Sequence, residues 1–282
     1  MVGDRFSAAR TLGRRLLGGD SLASVYAHLA SHSVDVALLQ EARPAPAGSG
    51  WETSVPAADD AAAWSIDGPR PSASGVLARG LRLEPVPTVR LGTWPEKGQL
   101  VTSHPGAFAV ASLNLEDGAR LYFVSLYGLL EGNALNAVRY AETSVHRMLS
   151  DLTPLLDEPG VQLVLAGDIN LSTQLDPPYR TWSRRAFERI ADFGLVEQTR
   201  RAYRDRMTEA CWCEEQPTCG HERTQRHSRS TKPWHNDYMF VSKALVDRVV
   251  ACEVLNQDET GWALSDHCPV VLTLDVAGKE GQ

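Results

Sequence analysis

Apolar residues recur along the chain with two periods, which predict a mixture of helices and strands. Leu22, Val25, Tyr26 and Leu29 fall on one helical face of residues 22–30, and the apolar run at 34–40 is typical of a buried strand. Strands are also predicted at 75–78, 81–89, 108–115 and 121–126, with a turn at 116–118. Beyond them the pattern predicts a helix at about 134–152, a strand at 161–167, an Arg-rich helix near 183–193, and strands around 237–241 and 268–274.

This mixture of meandering strands and intervening helices favours an α+β or α/β sandwich over a strictly alternating parallel sheet. Residues 44–73, rich in Pro, Ala, Gly and Ser, are typical of a long irregular connection. No linker divides the 282 residues convincingly into two parts. We therefore predict a single domain over residues 1–282, with a cysteine-rich insertion at about 207–233.

The composition is that of an ordinary globular protein, with 43% hydrophobic and 22% charged residues. No apolar run approaches the roughly 18 residues that span a bilayer, and the N-terminus has no signal-peptide core. We therefore expect a cytoplasmic protein with no membrane partner. The formal net charge of −7 argues against a protein that coats nucleic acid non-specifically. Two basic stretches, at 179–206 and 221–235, are interpreted either as solvated surfaces or as a rim that contacts phosphate.

Polar side chains follow or precede several apolar strands, at positions where a strand delivers them to one rim. Each alone is typical of a solvated or turn-forming residue, but together they resemble a site. Hard divalent cations such as Mg²⁺ prefer oxygen ligands, and a carboxylate can orient an imidazole for proton transfer or charge stabilisation. The residues concerned are Glu41, Asp168, Asn170, Asp237, Asp266 and His267.

Four segments carry a resemblance to a known family. LLQE at 38–41, GDIN at 167–170, NDYMFVS at 236–242 and SDHCPV at 265–270 resemble, in order, the motifs of the endonuclease/exonuclease/phosphatase family. The resemblance implies a four-layer α/β/β/α sandwich, DNase I-like, in which two mixed sheets pack face to face with helices outside. It also implies a divalent cation, Mg²⁺ or Mn²⁺, at one end of the sheets.

The resemblance further implies a role for each matching residue. Glu41 would be a cation ligand, and Asp266 would hold the cation or its water. Asp168 would orient or deprotonate the attacking water, and Asn170 would bind phosphate. His267, paired with Asp237, would stabilise the transition state. Tyr127, in FVSLYG, occupies the place of a family Tyr or His, although a core tyrosine is the alternative interpretation.

The N-terminus departs from the family, whose members begin with a strand that carries an active-site Asn. The first 20 residues contain no Asn, and residues 6–9 are too short a run to predict a strand. Two explanations stay open: a start assigned inside the gene, or loss of the Asn together with a central strand. We therefore expect the first strand to be missing or altered, which would expose a sheet edge.

A cluster of cysteines indicates a second candidate metal site. Cys211, Cys213, Cys219 and His221 form the pattern C-x-C-x5-C-x-H, and three thiolates with one imidazole are a complete ligand set for tetrahedral Zn²⁺. A reduced cysteine-rich loop and a disulfide are the alternatives, and five cysteines without a signal peptide speak against a disulfide framework. His227 and His235 could replace His221.

These observations favour a divalent-metal-dependent phosphodiesterase that hydrolyses DNA or RNA, with nucleic acid as its partner. The alternatives are a phosphatase or phosphodiesterase acting on a small molecule or lipid, and a family member that binds without catalysis, because a fold does not fix the substrate. The insertion precedes Asp237, so Trp212 or Trp234 could stack on a base, unless each is buried against the insertion. The sequence does not predict the oligomeric state.

Overall fold

The chain is described by a computed structural model that covers residues 5–10, 19–43, 45, 47–53, 73–133, 138–204, 211–226 and 231–276. Its strands, in chain order, are β1 Arg5–Arg10, β2 Val36–Ala42, β3 Glu52–Thr53, β4 Ala73–Ala78, β5 Glu84–Pro85, β6 Thr88–Arg90, β7 Leu100–Thr102, β8 Phe108–Asn114, β9 Arg120–Leu126, β10 Glu131–Asn133, β11 Val138–Tyr140, β12 Gln162–Asp168, β13 Leu195–Glu197, β14 Asp237–Ser242, β15 Val249–Val254 and β16 Val270–Asp275. The helices are α1 Gly19–Ser31, α2 Glu142–Leu156, α3 Tyr179–Asp192, α4 Thr199–Tyr203 and α5 Glu259–Leu264, with a 3₁₀ turn at Lys243–Arg248.

Two six-stranded sheets form the centre of the fold. Their strand orders are β15-β16-β1-β2-β4-β3 and β13-β14-β12-β9-β8-β5. Each sheet is mixed, because β1 pairs in parallel with β2, and β9 with β12, while the other ladders are antiparallel. Two small two-stranded sheets, β10-β11 and β6-β7, lie outside them.

Apolar side chains pack into three large buried clusters. The inner faces of both sheets share one buried cluster, to which Leu38 and Leu272 contribute from the first sheet and Phe123 and Met239 from the second. Helices α2 and α3 cover the outer face of the second sheet, and α1 covers that of the first. The predicted α+β, DNase I-like four-layer sandwich is therefore confirmed.

The first strand is present, so the expectation that it is missing was wrong, whereas it is altered in that its sequence, RFSAAR, lacks the family's Asn. Residues 5–10 form β1, which lies between β16 and β2, with Phe6 opposite Leu274 and Ala8 opposite Val36. The run is short and contains two alanines between arginines, so its own propensity for a strand is weak. Backbone pairing with β16 on one side and β2 on the other stabilises the strand instead. Because β1 has a partner on each side, it does not form a sheet edge.

Two element predictions shifted along the chain. The predicted helix at 134–152 begins at Glu142, because residues 138–140 form β11; residues 134–137 lie outside the described part. The run at 81–89 divides into β5 and β6, since Pro85 and Pro87 have no N–H for a continuous ladder. Strands β7, β13 and β15 were not predicted. No helix within the described ranges is long and apolar enough to cross a membrane.

Candidate active site

The topology brings the motif residues to one edge of the two sheets. In the second sheet β12 and β14 are antiparallel, and Asp168 at the end of β12 pairs directly with Asp237 at the start of β14. In the first sheet β2 ends near Glu41, and β16 begins just after His267. Because β1 is parallel to β2 and antiparallel to β16, these two ends also meet at one edge.

His267 lies at the centre of this edge, between two carboxylates. Its Nδ1 is 2.9 Å from both oxygens of Asp237, and its Nε2 is 3.8 Å from Oδ2 of Asp168. All three side chains are buried, and that of Asp237 is fully enclosed. A buried carboxylate on Nδ1 fixes the ring and favours an N–H at that nitrogen, which directs Nε2 towards Asp168.

The backbone after β12 sets the orientation of Asp168. Asn170 adopts a left-handed conformation (φ 52°), and its N–H donates to Oδ1 of Asp168 over 3.1 Å. The Asn170 side-chain amide donates to the Gly128 carbonyl over 2.9 Å, which uses one of its two hydrogens. A Cβ at Gly167 would overlap the Leu126 carbonyl, so the glycine before Asp168 is required by close strand approach.

Glu41 and Asp266 form the acidic side of the site. Glu41 has φ 51°, next to an irregularity in the β2–β4 ladder between Leu39 and Ala42. A left-handed residue with a side chain is strained, and such strain is common at functional sites. Oδ1 of Asp266 is buried without a hydrogen-bond partner among the described residues. Burial, with the charges of Asp237 and Glu41 adding to it, raises the pKa of Asp266.

This acidic pair fits a hard divalent cation. A buried carboxylate oxygen without a donor, close to a second carboxylate, gains most from a cation that satisfies and neutralises both. Mg²⁺ and Mn²⁺ bind through such a small number of carboxylates, with water and substrate oxygens completing the shell. Glu41 and Asp266 could therefore hold such a cation. Asp168, Asp237 and His267, whose ligand atoms lie within 4.8 Å of one another, are a second group in the same site that could bind a metal ion.

Sequence reasoning did not identify Gln40, which connects the two sheets beneath the site. Its amide donates to Ser125 Oγ over 2.8 Å, and its carbonyl oxygen accepts from the Asp168 N–H over 3.4 Å. Ser125 Oγ in turn donates to the Leu39 carbonyl over 2.7 Å. The sequence did contain a signal for this residue. Gln40 lies two residues after Leu38 in β2, so both side chains face the core between the sheets, where a polar residue is unusual.

The motif residues lie at the base of a cleft of about 1060 Å³. Tyr127 and Asn170 both line it, and Tyr127 also packs, partly buried, against the apolar cluster on the outer face of the second sheet. One wall is aromatic: Tyr140 and Tyr179 contact Trp182, with ring centroids 5.0 Å and 5.3 Å away. Polar and aromatic side chains from the insertion, the segment before β14 and α5 also line the cleft, namely Gln225, Arg226, Trp234, Asn236 and Trp262. Sequence reasoning named Trp234, placed Gln225 and Arg226 in a basic stretch and Asn236 in a family motif, but gave Trp262 no role.

The predicted cysteine cluster also assembles. Cys211, Cys213, Cys219 and His221 are buried, with all four ligand atoms within 4.8 Å of one another. The five cysteines of the chain all lie in the described part and all are free, so no disulfide forms. His235 lies 5.6 Å from His221 between ring centroids but accepts the Glu222 N–H instead, and His227 lies outside the described residues.

The Arg-rich stretch contacts this cluster's loop. Arg180 pairs with Glu214, and Nη2 of Arg200 lies 2.8 Å from Glu215. Arg184 lies between the two glutamates, at 3.8 Å and 3.7 Å. These arginines therefore hold the insertion against α3 and α4, a role that is neither a purely solvated surface nor a free phosphate-contacting rim.

Comparison with known proteins agrees with this geometry. The model of the Endonuclease/Exonuclease/phosphatase family matches residues 15–267, which is most of the chain. The chain belongs to the endonuclease/exonuclease/phosphatase family. It is accordingly an enzyme of the phosphoester-hydrolysing type. A comparison with curated proteins finds no match.

Solved structures share the fold of this family member. An AP endonuclease from Leishmania major superposes with a TM-score of 0.64 at 19% identity, covering 96% of this chain and 88% of that one. The catalytic domain of APE2 from Xenopus laevis gives 0.64 at 16% identity, with 98% and 94% covered. A 3′ phosphatase from Neisseria, bound to a product DNA hairpin, gives 0.61 at 19% identity, with 96% and 99% covered.

Proposed function

We propose that this protein is a divalent-cation-dependent phosphodiesterase that hydrolyses DNA or RNA. The observation that carries the proposal is His267, buried between Asp237 and Asp168 beside an acidic pair at the base of an open cleft. Burying several charged side chains together at a sheet edge does not stabilise the fold. Desolvated carboxylates in a cleft are, however, typical of catalytic sites.

Glu41 and Asp266 would bind Mg²⁺ or Mn²⁺ through their carboxylate oxygens. When bound, the cation supplies Lewis-acid polarisation of the phosphate and stabilises charge on an oxygen. The chain's own contribution is to orient the two residues: the backbone of Glu41 is left-handed, and the His267 N–H donates to Ser265 Oγ over 3.0 Å, which closes a turn around Asp266.

Asp168 is placed to accept the proton of the attacking water. Its Oδ1 is occupied by the Asn170 N–H, which leaves Oδ2 directed to the side where His267 Nε2 lies. A carboxylate with one oxygen fixed by a donor keeps its orientation while the other oxygen receives the proton. The second amide hydrogen of Asn170 is available for a phosphate oxygen, since the first donates to Gly128.

His267 would stabilise the charge that develops on the phosphate. Its Nδ1 is held by Asp237, so a protonated ring presents Nε2–H to the cleft. A preorganised donor aimed at developing charge in a water-poor site is among the largest catalytic effects. Asp237, which does not line the cleft, acts through His267 as a positioning residue.

The cleft walls support nucleic acid as the substrate class. Tyr140, Tyr179 and Trp182 line the cleft, and so do Trp234 and the largely buried Trp262. Aromatic side chains bind bases of any sequence by stacking. The guanidinium of Arg226 lies 4.2 Å above the Trp262 ring and is paired with Glu259, so it extends this wall more than it adds charge.

The test is a cleavage assay with Mg²⁺ or Mn²⁺ on single-stranded DNA, duplex DNA, RNA and a generic phosphodiester. We expect cation-dependent cleavage of a nucleic acid that is lost in His267→Ala and Asp168→Asn, with Asp157→Asn, an exposed site at the end of α2, as the matched control. Cleavage of the generic diester alone would move the substrate to a small molecule or lipid. Absence of turnover on every substrate, with the fold intact, would favour binding without catalysis.

A further inference from the structure

Residues 211–226, which make up most of the described part of the insertion, have almost no apolar core. The buried hydrophobic side chains within that range are the three cysteines, which form a cluster of their own. Three small thiols bury little apolar surface and cannot by themselves offset the entropy of ordering such a loop. Ion pairs of Glu214 and Glu215 attach the loop to α3 and α4, but apolar packing does not account for the close grouping of the cysteines themselves.

The four side chains of the cluster have the geometry of a metal site. Sγ of Cys211 is 3.5 Å from Nδ1 of His221. Bond lengths of about 2.3 Å to sulfur and about 2.0 Å to nitrogen in a tetrahedron give an S–N separation of roughly 3.5 Å. A glycine between Cys219 and His221, Gly220, has φ 64° and packs so closely on the Arg200 carbonyl that a Cβ would overlap it.

The surroundings orient the ligands. Nε2 of His221 lies 3.1 Å from Thr173 Oγ1, which leaves Nδ1 directed at the cysteines. The Gln174 amide donates to Cys211 Sγ over 3.5 Å. Metal-bound imidazoles and thiolates are held by such outer partners in known sites. The Nε of Arg200 donates to the Cys219 carbonyl over 3.0 Å. Three thiolates with a divalent cation would carry a net charge of −1, which the nearby guanidinium would offset.

We propose that Cys211, Cys213, Cys219 and His221 bind one structural Zn²⁺, and that this ion fixes one wall of the catalytic cleft. Sulfur and imidazole ligands select Zn²⁺ over the oxygen-preferring Mg²⁺. Four protein ligands complete the tetrahedron and leave no position for substrate. The site is therefore structural, and it is separate from the cation site at Glu41 and Asp266.

Gln174 connects the ion to the active site. It lies on the segment that follows Asn170, and its backbone carbonyl accepts Trp212 Nε1–H over 2.9 Å. Its side chain also donates to the Pro233 carbonyl over 3.1 Å and accepts the His235 N–H over 2.9 Å. Asp237 begins β14 two residues later. Gln174, which also contacts the ligand Cys211, thus joins the segment that follows Asp168 to the segment that precedes Asp237.

The experiment begins with metal analysis of the full chain purified without chelator. We expect about one zinc per chain in the native protein and in Cys252→Ala, a buried cysteine outside the cluster, and loss of zinc in Cys213→Ala. Because Cys213→Ala could fail to fold, Co²⁺ is exchanged into the native chain. Thiolate-to-cobalt charge-transfer bands and intense tetrahedral d–d bands are then expected.

Hydrogen exchange tests the link to the cleft. Removal of zinc should increase amide exchange in residues 171–176 and 231–236, while exchange in α1 stays unchanged. Native protein without zinc or cobalt bands, or Cys213→Ala that retains its zinc, would overturn the metal site. Zinc release that leaves exchange in both segments unchanged would overturn its role in fixing the wall.

Discussion

The substitution Asp237→Asn tests the charge relationship at the centre of the site. Asparagine has nearly the shape of aspartate, and one amide oxygen can still accept the hydrogen on His267 Nδ1. The substitution removes the negative charge of the carboxylate, both of whose oxygens lie 2.9 Å from His267 Nδ1. Because Asp237 is fully buried, solvent does not screen the loss.

The expected effect is on turnover rather than on binding. Removing preorganised stabilisation of developing charge costs about 10²–10³-fold in kcat, equivalent to roughly 2.7–4 kcal/mol. Asp237 does not line the cleft, so KM should stay within about threefold of the native value. The measurement is steady-state cleavage of the best substrate from the panel, at saturating cation, with thermal unfolding recorded for each variant.

A double-mutant cycle with His267→Gln separates this action from a general loss of stability. If Asp237 acts through His267, the double variant should be no slower than His267→Gln alone, since the positioned ring is already absent. Multiplicative losses would show that Asp237 acts independently of His267. A kcat for Asp237→Asn within about threefold of native, in a protein of unchanged thermal midpoint, would refute the proposed role.

Three further predictions concern the cation site and the backbone beneath it. Glu41→Gln should raise the Mg²⁺ concentration at half-maximal turnover by roughly 10- to 100-fold, and an unchanged titration midpoint would exclude Glu41 as a ligand. Asp266→Asn should slow turnover yet raise the thermal midpoint of the metal-free protein at pH 7, because burial, with nearby carboxylate charges, raises the pKa of this carboxyl and makes its ionised form destabilising. That difference should vanish at acidic pH, where the carboxyl is itself neutral; a lower midpoint at pH 7 contradicts the assignment. Gly167→Ala should lower the unfolding free energy in urea by roughly 1–3 kcal/mol or more, since its Cβ would overlap the Leu126 carbonyl, whereas Gly132→Ala, which meets open space, should not.

The base of the site could be predicted from sequence because its residues end strands. An apolar run of fixed period stops at a definite residue, so the pattern alone places the polar residue that follows at a sheet edge. Asp168 and Asp237 became direct partners in one ladder by this rule. Strand β1 escaped the same reasoning, because two alanines between arginines carry no local signal and the strand depends on β2 and β16.

The cleft walls and the ion-paired surface lay beyond sequence reasoning for a different reason. Tyr140 and Trp182 contact each other from segments about forty residues apart, and no period connects them. The sequence showed that the stretch at 179–206 is rich in arginine but left its role open. That role depends on ion pairs with Glu214 and Glu215, which lie in the insertion. Charge density along a helix does not indicate whether its cations meet substrate or carboxylates of the same chain.

The segment from Asp168 to Gln174 connects the proposed catalytic site with the proposed zinc site. Its first residue is fixed from below by Gln40 and by the close approach at Gly167, and its last is fixed from the side by contacts to the cysteine loop. A base that has to meet a water molecule loses rate steeply when it moves by about 1 Å. Loosening either end should therefore reduce turnover while cation affinity at Glu41 is retained, since the other strands still hold that residue. The cysteine loop and the strand core thus both hold the segment that begins at Asp168, the carboxylate we propose as the base.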